Sequence, residues 1–233
     1  MKYVTIPDNA QRRLPFYLAM EEYVAAHVDE ESFFMWRVAP TVIIGRNQVL
    51  ENEVNMEYCR KAGVLVVRRK SGGGCVYSDM GNLMISFISD RGDVSAVFDR
   101  YMSALAASLC DLGLPAVASV RNDIMVDGRK VSGNAFHQLP DRSIVHGTLL
   151  YSTDLEALTE AIRPPLEKLQ RHGVESVRQR VVNLAEYKDV SPVLDSAETL
   201  EDHLVSWFTD GRIELTAEQV AEIEEMEKEY QIY

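Results

Sequence analysis

The sequence predicts an α+β fold, with mixed or antiparallel β-sheets packed against helices. Two observations predict it. β-type runs concentrate in the first two thirds of the chain, and helical patterns take over from residue 154 onward. Within the β-rich part, Asp127-Gly128 lies between alternating segments and is the favoured two-residue turn of a hairpin over residues 123–136. The 233 residues carry no internal repeat and no low-complexity segment, and they are enough to bury a real core, as one large domain or two small ones.

The elements follow in order. Residues 16–27 (FYLAMEEYVAAH) place Tyr17, Met20, Tyr23 and Val24 at helical spacing. FFMWRV (33–38) and TVIIG (41–45) are short strands joined by a turn at Ala39-Pro40. GVLVVRR (63–69) and NLMISFI (82–88) are two more. Residues 94–112 form a helix that Gly113 ends, with Pro115 beyond it. After the hairpin comes a strand over 142–151, then helices over 154–162, 197–208 and 216–230. Thr216, with Gln219 three residues on, makes a capping box for the last of these.

Composition narrows the function. The apolar fraction is 46% and the charged fraction 26%, as in ordinary soluble proteins. With 36 acidic against 24 basic residues the net charge is −12, which argues against nucleic acid as a partner. Much of the acid lies in residues 214–229, read as a solvated helix face. The N-terminus lacks the apolar stretch of a signal peptide, and no run approaches the roughly 18 residues of a membrane span. Cys59, Cys75 and Cys110 are odd in number and widely spaced, as in a reducing compartment, so the reading is a cytoplasmic protein.

The chemistry gathers where VVRRKSGGGCVYSDMGNLMISFI (66–88) interrupts two β-type runs with a triple glycine. Glycine costs conformational entropy on folding, so the run needs a reason. Either it is a flexible turn, or an anion approaches the backbone N–H groups with Arg68, Arg69 and Lys70 as countercharge. Further polar corners occur at Gly45-Arg46-Asn47, Arg121-Asn122-Asp123, Arg129-Lys130 with Ser132-Gly133-Asn134, and Ser176 to Arg180. So many arginine, asparagine and glycine corners suit an enzyme that handles a nucleotide. Neither a P-loop nor a G-x-G-x-x-G fingerprint is present. His137 and His146 have no partner at metal-ligand spacing and read as satisfied structural histidines. Asp123 suits a Mg²⁺ that also takes substrate phosphates. Cys75 beside the basic run is a conceivable nucleophile, although a cysteine entering a strand is more simply a small buried hydrophobe. Lys130, after the tight turn, reads either as a solvated edge charge or as the clamp of a mixed carboxylate–phosphate anhydride.

These residues carry a resemblance. YLAMEEYV (17–24), TVIIGRNQ (41–48), RRKSGGGCVYSDMGNL (68–83), RNDIMVDGRKVSGNAF (121–136), HGTLLYSTDL (146–155) and SVRQRVVNLAE (176–186) closely resemble, in this order, the lipoate–protein ligase A family of the biotin/lipoate ligase superfamily. The resemblance implies that lipoate or octanoate and ATP, with Mg²⁺, form an acyl-adenylate whose acyl group passes to a lysine of a lipoyl domain. It implies that Lys130 is catalytic at the anhydride. The adenylate then lies against Arg46, Arg69, Ser71, Gly72, Gly73, Gly74 and Cys75, with Tyr77 and Asn82 following in the same motif. The later motifs add Asn122, Asp123, Ser132 and Gly133, then His146, Gly147 and Thr148, while Arg178 and Arg180 belong to a segment closing over the adenosine.

Implied acceptors are the acyltransferase subunits of 2-oxoacid dehydrogenases and the glycine-cleavage carrier protein, met by a monomer through a local basic or apolar patch. The family commonly has alanine where Cys75 stands. Many members continue into a small C-terminal accessory domain, and this chain ends at EKEYQIY near that junction. Residues 1–233 are therefore expected to be the catalytic domain with the accessory domain absent, and activation then calls on a separate accessory protein. A cysteine-dependent acyl transferase and a non-catalytic binding module are the competing readings.

Overall fold

A computed structural model describes residues 1–8, 10–119, 122–162 and 180–233. Its larger sheet has eight strands, and its centre is an antiparallel block. Here β2 (Ser32–Trp36), β6 (Asn82–Asp90), β10 (Arg142–Leu150), β9 (Arg129–Gln138), β8 (Asp123–Val126) and β7 (Ala116–Ala118) pair in that order. On the far side β1 (Lys2–Thr5) joins β2 in parallel, and β11 (Arg212–Glu214) joins β1 in parallel. The smaller sheet has β3 (Thr41–Ile44) between β4 (Leu65–Arg68), parallel to it, and β5 (Val76–Ser78), antiparallel. The mixed α+β architecture is the expected one.

Residues 82–89 of β6 are all buried because helices cover both faces of the large sheet. Leu83, Ile85 and Phe87 pack with α4 (Val94–Asp111), and Met84 and Ile88 pack with α1 (Leu14–His27). Period-two alternation thus sorts one strand into two cores. The small sheet is divided likewise. Ile43 and Val67 join the α1 core, whereas Val42, Ile44 and Val66 pack with α3 (Met56–Ala62) and α5 (Leu155–Ala161). A short helix, α2 (Leu50–Glu53), precedes α3, while α6 (Ala197–Phe208) and α7 (Ala217–Met226) follow later in the chain.

The hairpin turn forms at Asp127 (φ 49°) and Gly128 (φ 75°), and Thr216 caps α7 with Gln219 closing the box. The strand expected from residue 63 begins at Leu65, because Gly63 (φ 68°) is the left-handed cap of α3. Residues 231–233 lie along the outer edge of β4, with hydrogen bonds from Arg68 N to Gln231 O and from Tyr233 N to Val66 O, both 3.0 Å. Among the described residues no helix is long and apolar enough to cross a membrane.

Candidate active site

A cavity of about 380 Å³ opens on the α1 face of the large sheet, under the small sheet. Its floor follows from register. Trp36 of β2 pairs with Met84 of β6, Met84 with Thr148 of β10, Thr148 with Gly133 of β9, and Gly133 with Asp123 of β8. All five line the cavity, so the slot runs across the strands at one level of the sheet. Four strand spacings separate its ends, roughly 19 Å. Leu18 of α1 and Ile43 and Val76 of the small sheet join Trp36 and Met84 at the apolar end. The other end is polar, with Asn122, Asp123, Lys130 and Asn134. A slot that is apolar at one end and charged at the other fits an acyl chain carrying a reactive head group.

At the polar end Lys130 Nζ sits 2.8 Å from Asp123 Oδ1. The lysine stem passes directly over Gly133, where a Cβ would lie 2.5 Å from Nζ. The next segment of chain runs alongside. Lys130 N–H donates to Arg180 O at 2.7 Å, and Val182 N–H donates to Lys130 O at 3.0 Å. Arg180 itself is exposed. Asn122 holds φ 66°, a left-handed conformation that asparagine tolerates, and its carbonyl accepts from Asn134 N and Nδ2 at 3.0 Å each.

The glycine loop is organised from within. Arg69 is 4% exposed and its guanidinium faces the loop's own carbonyls. Nε and Nη2 donate to Gly72 O (3.0 and 2.6 Å), Nη2 to Gly74 O (2.7 Å) and Nη1 to Ile43 O (3.2 Å). Burial lowers its pKa to about 10, partly offset by Cys75 and Glu21. Gly73 holds φ 91°, and a Cβ there would lie 2.8 Å from Arg69 Nη2. A Cβ on Gly72 or Gly74 would meet nothing within 4 Å, so those two glycines leave room for a visitor.

The basic run departs from expectation. Arg68 Nη1 donates to the carbonyls of Gly45, Arg46 and Gln48. Lys70 pairs with Glu22 at 2.8 Å and Glu229 at 3.1 Å. All three cations of the run are committed to the protein, and among the described residues Lys130 supplies the ammonium in the cavity.

Other expected site residues are placed differently. Tyr77 is buried under α3 and α5, outside the cavity wall, because alternation along β5 puts its neighbour Val76 on the slot side. Asn82 is a buried clip, accepting from Leu149 N–H at 3.2 Å and donating to Tyr77 O. Ser132 is buried against Asn134 at 3.1 Å. Arg46 is exposed on the turn after β3, where its N–H donates to Ser71 O at 2.9 Å. Gly73, Gly74, Cys75, Gly133, His146, Gly147 and Thr148 do line the cavity. Arg121 and Arg178 lie outside the described residues.

Cys75 is unsuited to nucleophilic work. Burial, reinforced by Glu53, pushes its thiol up to about 12 despite Arg69. Its neutral form prevails at physiological pH, and the thiolate is the reactive form. Among the described residues no group of three His, Cys, Asp or Glu could hold a metal ion.

Sequence reasoning did not select Glu21, Leu18, Trp36 or Met84 for the site. A signal existed for Glu21: a glutamate four residues after Tyr17 and three before Val24 falls on the apolar stripe of α1, and it is 3% exposed.

A slot that is apolar at one end and ends at a lysine, on a mixed sheet, has the shape and charge to take a long apolar chain with an anionic head group. The chain belongs to the lipoyl protein ligase A/B catalytic domain family, whose model matches residues 14–208. It is 42% identical over 175 residues to lipoate-protein ligase LplJ of Bacillus subtilis, covering 74% of this chain and 53% of that one. The chain spans about half the length of the curated relatives it matches. Among solved structures it resembles a bi-partite lipoate protein ligase from Thermoplasma acidophilum, described with its E2 lipoyl domain, at 28% identity and a TM-score of 0.82. That likeness covers 97% of this chain and 91% of the other. A crystal structure of lipoate-protein ligase A bound with ATP matches at 26% identity and a TM-score of 0.82, covering 97% and 94%.

Proposed function

We propose that this chain is the catalytic portion of an ATP-dependent ligase. It activates lipoate or octanoate to the acyl-adenylate and passes the acyl group to a lysine amine of a lipoyl domain. The observation that carries the reading is the slot on one register level, running from Trp36 to the Lys130–Asp123 pair. Relatives named lipoate-protein ligase, one of them bound with ATP, support the substrates, and the relative described with its E2 lipoyl domain supports the acceptor class.

A carboxylate is a poor acyl donor, and adenylation gives it a good leaving group. The chain's own task is to hold the two reactants in line and to stabilise the charge that develops on the anhydride oxygens. Leu18, Ile43, Met84 and Trp36 take the hydrocarbon, the loop at Gly73 and Gly74 offers backbone N–H groups, and Lys130 presents its ammonium to the anhydride. Asp123 orients that lysine. It also offers the single carboxylate that suits a Mg²⁺ arriving on the phosphates, which would neutralise phosphate charge when bound. Acceptors of this kind are acyltransferase subunits of 2-oxoacid dehydrogenases and the glycine-cleavage carrier protein, in the cytoplasm, a setting that suits three free cysteines. Residues 1–233 act as one catalytic domain, to which a separate accessory protein is a candidate partner for activation.

Lipoate-dependent ATP–pyrophosphate exchange, followed by transfer from synthetic lipoyl-AMP to an apo lipoyl domain, tests the reading. Exchange and transfer together support it in full. Transfer without exchange supports the division of labour with an accessory protein, and absence of both refutes the function.

A further inference from the structure

One buried chain of hydrogen bonds runs along the slot, lining it at Trp36 and His146 and passing behind it at Ser86, Glu21 and Ser71, and its coupling is used by no step above. It starts at the apolar end. Trp36, stacked on Tyr17 (4.8 Å between centroids, 6° between planes), donates from Nε1 to Ser86 Oγ at 2.9 Å. Ser86 donates to Glu21 Oε1 at 2.6 Å. Glu21 Oε2 lies 2.8 Å from His146 Nδ1, and His146 Nε2 lies 2.8 Å from Ser71 Oγ, the first residue of the glycine loop. All five side chains are buried. The register explains the alignment: Ser86 and His146 pair across β6 and β10, one level along from the slot floor, and α1 lowers Glu21 onto them.

The first two directions are fixed. The indole N–H can only donate, so Ser86 accepts it and directs its own proton to Glu21. With a neutral His146, a carboxylate at Glu21 selects the tautomer that carries its proton on Nδ1, and Nε2 accepts from the Ser71 hydroxyl. A carboxylate that selects a histidine tautomer in this way also sets what the histidine's other nitrogen can do.

We propose that Glu21 is a positioning residue for the whole slot. Through Ser86 it fixes the Trp36 indole that closes the apolar end, and through His146 it fixes Ser71 and hence the start of the loop at the other wall. The inference rests on the acyl-ligase reading for its ligand, but the geometry of the coupling does not depend on it.

Glu21→Gln tests it, because the amide keeps the size of the side chain. Its oxygen still accepts from Ser86, but its N–H₂ must face Nδ1. That moves the imidazole proton to Nε2 and forces the Ser71 hydroxyl to turn. Lipoate binding is followed by fluorescence of Trp36, made the sole tryptophan by Trp207→Phe at an exposed position. The expected result is a Kd raised about tenfold in Glu21→Gln and in Ser71→Ala, with unfolding midpoints near the parent's. The double variant is expected to be no worse than either single one, because both act through one chain. A parent-like Kd in Glu21→Gln, or effects that multiply in the double variant, overturns the proposal. A ligand-free readout separates it from the functional reading. The Trp36 indole N–H resonance should shift in Ser71→Ala although the two side chains do not touch, and an unmoved resonance overturns the coupling. A shifted resonance in Ser71→Ala, with a parent that binds no lipoate, keeps the positioning role and removes the ligase reading.

Discussion

Replacing Arg69 by methionine distinguishes an arginine that touches substrate from one that builds the loop. Its four hydrogen bonds reach three carbonyls, those of Gly72, Gly74 and Ile43. Gly72 is half-buried and Gly74 exposed, so water can replace the guanidinium at those two carbonyls, whereas the bond to Ile43 O is buried. A bond to a charged donor contributes about 1.5–3 kcal/mol, and a buried carbonyl left unpaired costs about 1–3 kcal/mol. Removing the buried charge recovers its desolvation cost, which leaves a net loss of about 2–4 kcal/mol. For a chain of this length that is a fall in Tm of roughly 5–15 °C. Thermal and urea unfolding of Arg69→Met, with Arg69→Lys beside it, provides the assay. Lysine keeps the charge and loses the fork, so it should fail nearly as badly. An unchanged midpoint with lost activity, rescued by lysine, would refute the reasoning and make Arg69 a charge acting on substrate.

Three further variants have expected outcomes. Lys130→Ala should lose about 2–4 kcal/mol of transition-state stabilisation with unfolding unchanged, since the ion pair with Asp123 is only part-buried; kcat/KM within a few-fold of the parent would remove Lys130 from the chemistry. Gly133→Ala should displace the flexible lysine end rather than the backbone, lowering activity at least about tenfold while costing stability on the order of 1 kcal/mol, and parent-like kinetics would show that the ammonium position is uncritical. Cys75→Ala should retain transfer activity, against the thioester mechanism. The same variant tests the buried thiol. Because its folded pKa is raised from 9.0 to about 12, the unfolded chain releases the proton first, so the contribution is intact below about pH 9 and is lost as pH rises towards 12. Urea titrations should show the alanine variant losing less stability than the parent over that window; equal slopes would mean the thiol ionises as freely folded as unfolded.

Much of the sheet was legible because its central strands carry strong patterns, and Asp127-Gly128 adopts its turn as the dipeptide predicts. The strands at β1, β5, β7 and β11 were not, since three or four residues give too short a window for alternation. The helix at Met56–Ala62 left signals that went unread, an Asn55 cap and a Gly63 stop. In the site, glycine and lysine were visible as residue types, but their division of labour was not. Nothing local distinguishes an arginine facing carbonyls, as Arg69 does, from one facing solvent. Tyr77 and Asn82 adjoin the loop in sequence, yet one strand's alternation and one strand-end clip take them out of the cavity. Trp36 and Leu18 reach it from β2 and α1, with Glu21 packed behind it, a proximity created only when five strands and a helix come into register.

A slot laid across strands rather than along one reads length in steps. Each strand adds a fixed pitch, about 4.8 Å, and offers one side chain per step to stop or admit what lies above it. Changing the reach of such a ruler requires no moved helix and no new loop, only a different graduation, a larger or smaller side chain at one paired position among Trp36, Met84, Thr148 and Gly133. The hydrogen-bond ladder that holds the sheet is left untouched, so reach and stability separate at Thr148 and Gly133, whereas Trp36 and Met84 also belong to the buried core and tie the two together.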